Sequence, residues 1–148
     1  MSDVAQLNHH FKTLDLPDPA AAWLIDVWRC IQVFDDAADG DALDPAELNH
    51  VIFSSLVGMQ LNAFHAQNAA VLLPVLALQI MKWHGANHAE LGGRADVKSY
   101  MWRAGYYDLV LMVVGIVHGP EKAGAMAETV MRLYGEGFAE YQEEFANA

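Results

Sequence analysis

The sequence predicts an all-α fold, in which residues 1–148 form a single domain built as a bundle of five or six helices. Three observations lead to this fold class. Apolar residues recur at spacings of three and four along most of the chain, which is the period of one helix face. Pro, Asp and Gly stand where these segments begin and end. No segment shows the alternating pattern that is typical of paired strands.

The composition is that of a folded, acidic protein. Hydrophobic residues make up 54% of the chain, and the formal net charge is −11 with only eight Lys and Arg. Because this charge repels phosphate backbones, we expect no nucleic-acid partner. Cys30 is the single cysteine, which excludes an intrachain disulfide and favours a reducing, cytoplasmic location. We expect no signal peptide and no membrane partner, since the uncharged apolar runs are shorter than the roughly 20 residues that span a bilayer.

The first half of the chain predicts three helices. Asp3–Leu14 places its apolar residues on one face. A second helix covers Pro19–Asp39, with Asp18 as its N-cap and the proline at the first helical position. A third helix covers residues 45–60, because Asp44 is followed by a proline in the same way.

The second half predicts three longer segments. Ala63–Glu90 is apolar and contains Pro74, so we expect a kink or a break at residues 70–74. Asp96–His118 is apolar nearly all round. Because such helices need cover on every side, we expect these two segments to be the most buried. A last helix covers Pro120–Phe145, with two glycines that weaken its middle.

Three aspartates, Asp35, Asp36 and Asp39, stand at the C-terminal end of the second helix. Asp35 and Asp39 share one face with Trp28 and Gln32, because residues four apart are neighbours on a helix. Like charges repel at this spacing, and the negative end of the helix dipole adds to the repulsion. A divalent cation would relieve both costs, and Mg²⁺ combines one or two carboxylates with waters and phosphate oxygens. The pattern therefore indicates either a magnesium site or a helix that simply ends in an acidic, solvated loop.

The string VFDDAADGD, residues 33–41, is similar to the first aspartate-rich motif of the all-α isoprenoid synthases, including the phytoene and squalene synthase branch. The resemblance implies that Asp35, Asp36 and Asp39 bind magnesium, and that magnesium in turn holds a prenyl diphosphate. It covers this one motif. A second aspartate-rich motif, which the family carries on a partner helix, does not occur in the sequence.

Further polar residues lie on apolar backgrounds and are candidates for lining a ligand pocket. Asp108 stands inside the most apolar helix, where a carboxylate needs a partner. That partner is either a structural one, such as a tyrosine or a lysine, or a metal. His65, Asn68, Gln79 and Lys82 form a polar line along the long apolar segment. This line either faces a polar cavity opposite the aspartates or consists of hydrogen-bonded core residues. The pocket candidates are Trp28, Gln32, His65, Asn68 and Asp108.

Glu47 and His50 form one Glu-x-x-His pair, but a di-iron bundle needs two such pairs and the chain has one. Two hypotheses of function remain. In the first, the acidic helix end binds Mg²⁺ and a small phosphate or diphosphate ligand. In the second, the chain is a non-enzymatic helical interaction module, either a homodimer or a component of a larger assembly. The sequence leaves open whether the protein is an enzyme.

Overall fold

The computed structural model describes residues 3–146, which contain eight helices and no strand. The all-α prediction is confirmed, but the count of five or six helices is wrong. In chain order the helices are α1 (Asp3–Thr13), α2 (Asp18–Asp39), α3 (Pro45–Phe53, continued by a π-helical turn over Ser54–Gly58 and a last α turn over Met59–Leu61), α4 (Ala63–Leu91), α5 (Val97–Arg103), α6 (Gly105–His118), α7 (Pro120–Met131) and α8 (Phe138–Ala146).

The chain divides into two compact units, residues 1–69 and residues 70–148. The first unit contains α1 to α3 and the beginning of α4, and the second contains the rest. The single domain expected from the sequence stays a prediction.

Several helix ends lie where their local sequence predicts them. Gly40 follows α2 with a φ of 77°, a left-handed conformation that suits glycine and closes the last turn. Asp44 caps α3 by accepting the backbone N–H of Ala46 at 3.1 Å. Asp96 and Ser99 form a reciprocal capping box at the start of α5. The prediction for Asp18 is wrong by one position, since it is the first residue of α2 and makes no side-chain cap.

The two additional helices arise because two predicted segments are interrupted. Asp96–His118 divides at Ala104, whose φ of −80° and ψ of 9° end α5 before α6 begins. Pro120–Phe145 divides between α7 and α8, over the stretch that contains Gly135 and Gly137. Glycine disfavours the helical backbone, so the two residues expected to weaken this helix lie where it is interrupted.

The first unit packs α2 against α1 and α3. Trp23 and Leu24 of α2 are fully buried, and Phe11 of α1 is nearly so. Further along α2, Cys30 and Val33 pack with Val51 of α3. Burial raises the pKa of the Cys30 thiol to about 11, so the thiol remains protonated at neutral pH.

The second unit has its core around α6 and α7, which are its most closely packed helices. Four consecutive core positions of α6 are fully buried: Leu109, Val110, Val113 and Val114. Gly105 begins α6 against α4, where an added Cβ would lie 3.2 Å from the Gln79 side chain. A side chain at this position would therefore require the Gln79 side chain to shift by a few tenths of an ångström.

Candidate functional site

The three aspartates stand at the end of α2 as the sequence predicts, and their exposure differs. Asp35 is half-buried, whereas Asp36 and Asp39 are exposed. The last turn of α2 contains no basic residue. Trp28 is half-buried and Gln32 is exposed on the same helix. Within residues 3–146 no three His, Cys, Asp or Glu side chains form a group that could hold a metal ion.

A polar ladder joins α2 to α3 in the first unit. Arg29 binds Glu47 through two nitrogens, with the Nε bond at 3.2 Å, and this partner lowers the pKa of the Glu47 carboxyl. One helical turn along, His50 Nε2 lies 3.3 Å from Asp26 Oδ1 and 3.1 Å from Ser54 Oγ. The Glu-x-x-His pair is therefore occupied in joining two helices.

Asp26, His50 and Ser54 do not form a catalytic triad. Both partners contact the same ring nitrogen of the histidine, whereas a relay needs the acid on one nitrogen and the hydroxyl on the other. Ser54 is also buried, so its hydroxyl is not available to a substrate. The cluster has a structural role at the start of the π-helical turn.

His65 and Asn68 both lie in the first unit, and each makes local contacts. His65 is buried and stacks on Trp23, with ring centroids 5.4 Å apart and planes tilted by 23°. Burial lowers the pKa of His65, so the neutral ring is favoured. Its Nδ1 has no hydrogen-bond partner. Asn68 donates to the carbonyl of Phe64 at 2.8 Å.

Asp108 lies in the second unit, where it forms an ion pair with Lys82 of α4. Both side chains are about one-third exposed. The carboxylate therefore has the structural partner, a lysine, that the sequence left as one of its two alternatives. Lys82 is also a member of the polar line, and this contact accounts for its position on an apolar helix.

A buried polar network in the second unit has no counterpart in the sequence-based predictions. Arg103 of α5 binds the Glu90 carboxylate, with its Nε at 2.7 Å, and its guanidinium also reaches Asn87. Tyr141 of α8 donates to Glu90 at 2.8 Å and lies 2.7 Å from the Ser99 hydroxyl. The Glu90 side chain is only 5% exposed. Because the members are 13 to 51 positions apart in sequence, no local pattern indicates them.

Beside this network lies a small cavity between Tyr141 of α8 and the segment that follows α4. Its volume is about 190 Å³. Pockets that hold drug-sized ligands are larger, about 300–1,000 Å³. The Tyr141 hydroxyl and the Glu90 carboxylate at its wall are already hydrogen-bonded within the network, so neither is free to bind a ligand.

A large apolar surface is exposed on α4. We define its outer face as the exposed residues between positions 70 and 91. Large apolar side chains dominate it: Leu73 is 51% exposed, Ile80 45%, Met81 62% and Leu91 91%. The remaining members are Ala70, Val71, Pro74, Ala77, Leu78, His84 and His88. No Asp, Glu, Lys or Arg belongs to the outer face.

The opposite side of α4, its inner face, has the charged residues. Over the same stretch Leu72, Gln79 and Ala86 are buried, and Lys82 and Glu90 form ion pairs with Asp108 and Arg103. The burial of this stretch is thus inverted for most of its residues: the charged groups face the fold, and most large apolar side chains are exposed, although Leu72 is buried and Trp83 is half-buried. The expectation that this segment is among the most buried is therefore wrong for the outer face. The same expectation for Asp96–His118 is confirmed over α6, whereas α5 leaves Val97 and Met101 about half exposed.

Helix α4 also corrects the estimate of apolar length. It continues through Pro74 without a break, so its 29 residues form one helix instead of two shorter runs. Among the described residues it is the one helix that is long and apolar enough to cross a membrane by length and composition. Core helices of soluble proteins meet the same criterion.

Comparison with known proteins supplies no relative. No family model matches the chain, and no curated protein or solved structure matches it.

Proposed function

We propose that this chain is a helical interaction module, and that a partner covers the outer face of α4 when the protein functions. The inverted burial of α4 carries this proposal. Soluble monomers rarely expose contiguous apolar patches larger than a few hundred Å², and larger ones mark interaction sites. An uncharged face along some six helical turns is such a patch.

Burial of this surface supplies only part of the free energy that association needs. Six large apolar side chains of the outer face are between 45% and 91% exposed. Burying the exposed half of a Leu, Ile, Val or Met side chain contributes about 1 kcal/mol, so the six together contribute roughly 6 kcal/mol. Association costs about 4–15 kcal/mol in lost freedom of motion. The partner must therefore also pack well against the intervening small residues, and a partner of complementary shape fits better than a disordered one.

A lipid bilayer suits this helix less well than a protein partner. The inner face bears two ion pairs, Lys82 with Asp108 and Arg103 with Glu90. If α4 crossed a membrane, these four charged groups would lie at membrane depth, where such groups are costly. A surface-bound helix has basic residues on its polar side, and with a net charge of −11 the chain has few to offer.

The proposal is tested by the reactivity of a thiol placed on the outer face in the cells that naturally make the protein. Ala77→Cys, an exposed position of the outer face, is compared with Lys122→Cys, an exposed position on α7, using a membrane-permeant maleimide. We expect Ala77→Cys to be labelled at least tenfold more slowly. The wild type is the blank, because its single thiol is buried. Equal labelling of the two variants would show that the face is open to solvent and would overturn the proposal.

A second candidate function is magnesium-dependent binding of a phosphate or diphosphate ligand at Asp35, Asp36 and Asp39. The observation that favours it is the placement of these carboxylates at the negative end of α2 with no basic residue in the last turn. Two carboxylates suffice for Mg²⁺ when waters and phosphate oxygens complete its shell.

Thermal unfolding with and without millimolar Mg²⁺ and diphosphate tests this candidate. A ligand at a hundredfold excess over its dissociation constant stabilises the fold by about 2.7 kcal/mol. We expect that shift in the wild type and in the control variant Asp41→Asn, but not in Asp35→Asn/Asp39→Asn. An unshifted wild type, or an equal shift in the double variant, would remove this candidate.

A further inference from the structure

We propose that the partner of the outer face is a second copy of this chain, and that the two α4 helices pair antiparallel. In this pairing Leu73 of one copy packs on Ala77 of the other. Ile80 packs on Ala70 in the same way. The inference rests on the proposed function, since it names the partner of that same surface.

Charge is the first argument for a second copy. Each chain has a formal net charge of −11, so two copies repel each other over most of their surfaces. The outer face is different because no carboxylate belongs to it over residues 70–91. Two copies can therefore meet here without placing like charges opposite each other. This face has no Lys or Arg that would select an acidic partner, and no Asp or Glu that would select a basic one.

The second argument is the spacing of the residues on the outer face. Ala70, Leu73, Ala77 and Ile80 follow one another at intervals of three, four and three, which is the repeat of a helix-pairing seam. All four are exposed, so the seam has no cover within the second unit. Along it small and large side chains alternate. Interdigitation of large and small residues is what packs two facing helices without voids.

The direction of pairing follows from this alternation. In a parallel pair at equal register each residue meets its own copy, so Leu73 would face Leu73 and Ala77 would face Ala77. Crowded layers would then alternate with empty ones, and both are unfavourable. An antiparallel pair centred at residue 75 places each large side chain against an alanine. The helix dipoles are also opposed in this arrangement.

Engineered cysteines distinguish the two directions. In the antiparallel pair Ala70→Cys of one copy lies opposite Ile80→Cys of the other. Residue 70 lies opposite residue 80 of the other copy, which is ten positions from that copy's own residue 70. Two Ala70→Cys residues are therefore about 15 Å apart along the helix axis. A disulfide requires Cα atoms within about 7 Å. We therefore expect a disulfide-linked dimer when the two single variants are mixed and oxidised, and none when either is oxidised alone. The wild type, with Cys30 buried, should give none.

Sedimentation velocity of the full chain supplies the second measurement. We expect the mass to rise with concentration from 16.3 kDa to twice that value. Ile80→Lys should weaken dimerisation at least tenfold, whereas Lys122→Ala should not. Both positions are exposed, so circular dichroism should show wild-type helix content in both variants.

Three outcomes would overturn the inference. Self-linking of either single variant would show a parallel pair. A monomer at all concentrations, without mixed disulfide, would exclude a second copy. Flotation of the wild type with phosphatidylcholine vesicles, lost in Ile80→Lys, would identify a lipid surface instead. In each case slow labelling of Ala77→Cys in cells would leave the proposed function standing, so the two failures are distinguishable.

Discussion

Helices α4 and α6 are both strongly apolar, yet their surroundings differ, since α6 is largely buried and the outer face of α4 is exposed. Four apolar residues of α6 are completely buried against the helices of the second unit. Residues 70–91 of α4 direct Gln79, Lys82 and Glu90 inward and leave most of their large apolar side chains exposed. The hydrophobicity of a helix therefore indicates how much of its surface must be buried. Whether the same chain supplies the cover depends on the other helices.

The largest expected effect lies on the inner face of α4, where Arg103 neutralises a nearly buried Glu90. Arg103→Met leaves that carboxylate buried without its cation, so we expect the free energy of unfolding to fall by about 3–5 kcal/mol. Arg132→Met is the matched control, because its ion pair with Glu128 is exposed and is worth less than about 1 kcal/mol. Urea denaturation measures both. Equal losses would mean that the inner face is not held by its buried charges.

The next effect compares one leucine from each helix. Leu109→Ala removes a fully buried side chain of α6 and should cost about 2–5 kcal/mol. Leu73→Ala removes a half-exposed side chain of the outer face and should cost less than about 1 kcal/mol when the protein is dilute enough to be monomeric. Equal losses in dilute solution would show that the outer face is already covered within one chain.

The third effect is a dependence on pH. Burial lowers the pKa of His65 in the folded state below its unfolded value of about 6.5. The folded state therefore binds fewer protons, and this stability is present above pH 6.5 and lost as the pH falls towards the folded pKa. The slope cannot exceed about 1.4 kcal/mol per pH unit for one proton. His65→Phe retains a ring beside Trp23 and should have a shallower loss of stability from pH 7 to pH 5. Identical pH profiles would contradict this assignment.

The smallest expected effect on stability is that of Ile80→Lys. The side chain is 45% exposed in the single chain, and a lysine there can extend its amine into water. We expect the unfolding free energy of the monomer to change by less than about 0.5 kcal/mol, as for an ordinary surface substitution. A loss of several kcal/mol in dilute protein would show that the outer face supports the fold of a single chain.

The sequence predicts those parts of the fold that depend on neighbouring residues. The ends of helices at Gly40, Asp44 and Asp96 are of this kind, because caps are made by side chains and backbone groups within one turn. The interruption between α7 and α8 depends only partly on neighbouring residues. Gly135 and Gly137 signal a weak helix, but whether a weak helix breaks depends on its packing.

The candidate site divides in the same way. The placement of Asp35 and Asp39 at a helix end is local and was predictable from their spacing. The contact of Glu90 with Tyr141 spans 51 positions, and that of Asp108 with Lys82 spans 26, so neither leaves a periodic signal. The exposure of Leu73 and Ile80 could not be predicted from the sequence either. An apolar helix has the same sequence pattern whether or not its own chain covers it.

The hairpin of α6 and α7 has a consequence for the order of folding. Only Gly119 joins these helices, with a φ of 90° that allows the chain to reverse in one residue. Contacts between such close segments form quickly, whereas docking of α8 must close a long loop first. Mutations in the hairpin should therefore slow refolding, and mutations at the α8 contact should mainly accelerate unfolding. Stopped-flow measurements on Val114→Ala and Tyr141→Phe would separate the two rates. A chain whose synthesis is arrested before α8 should therefore already contain the hairpin of α6 and α7.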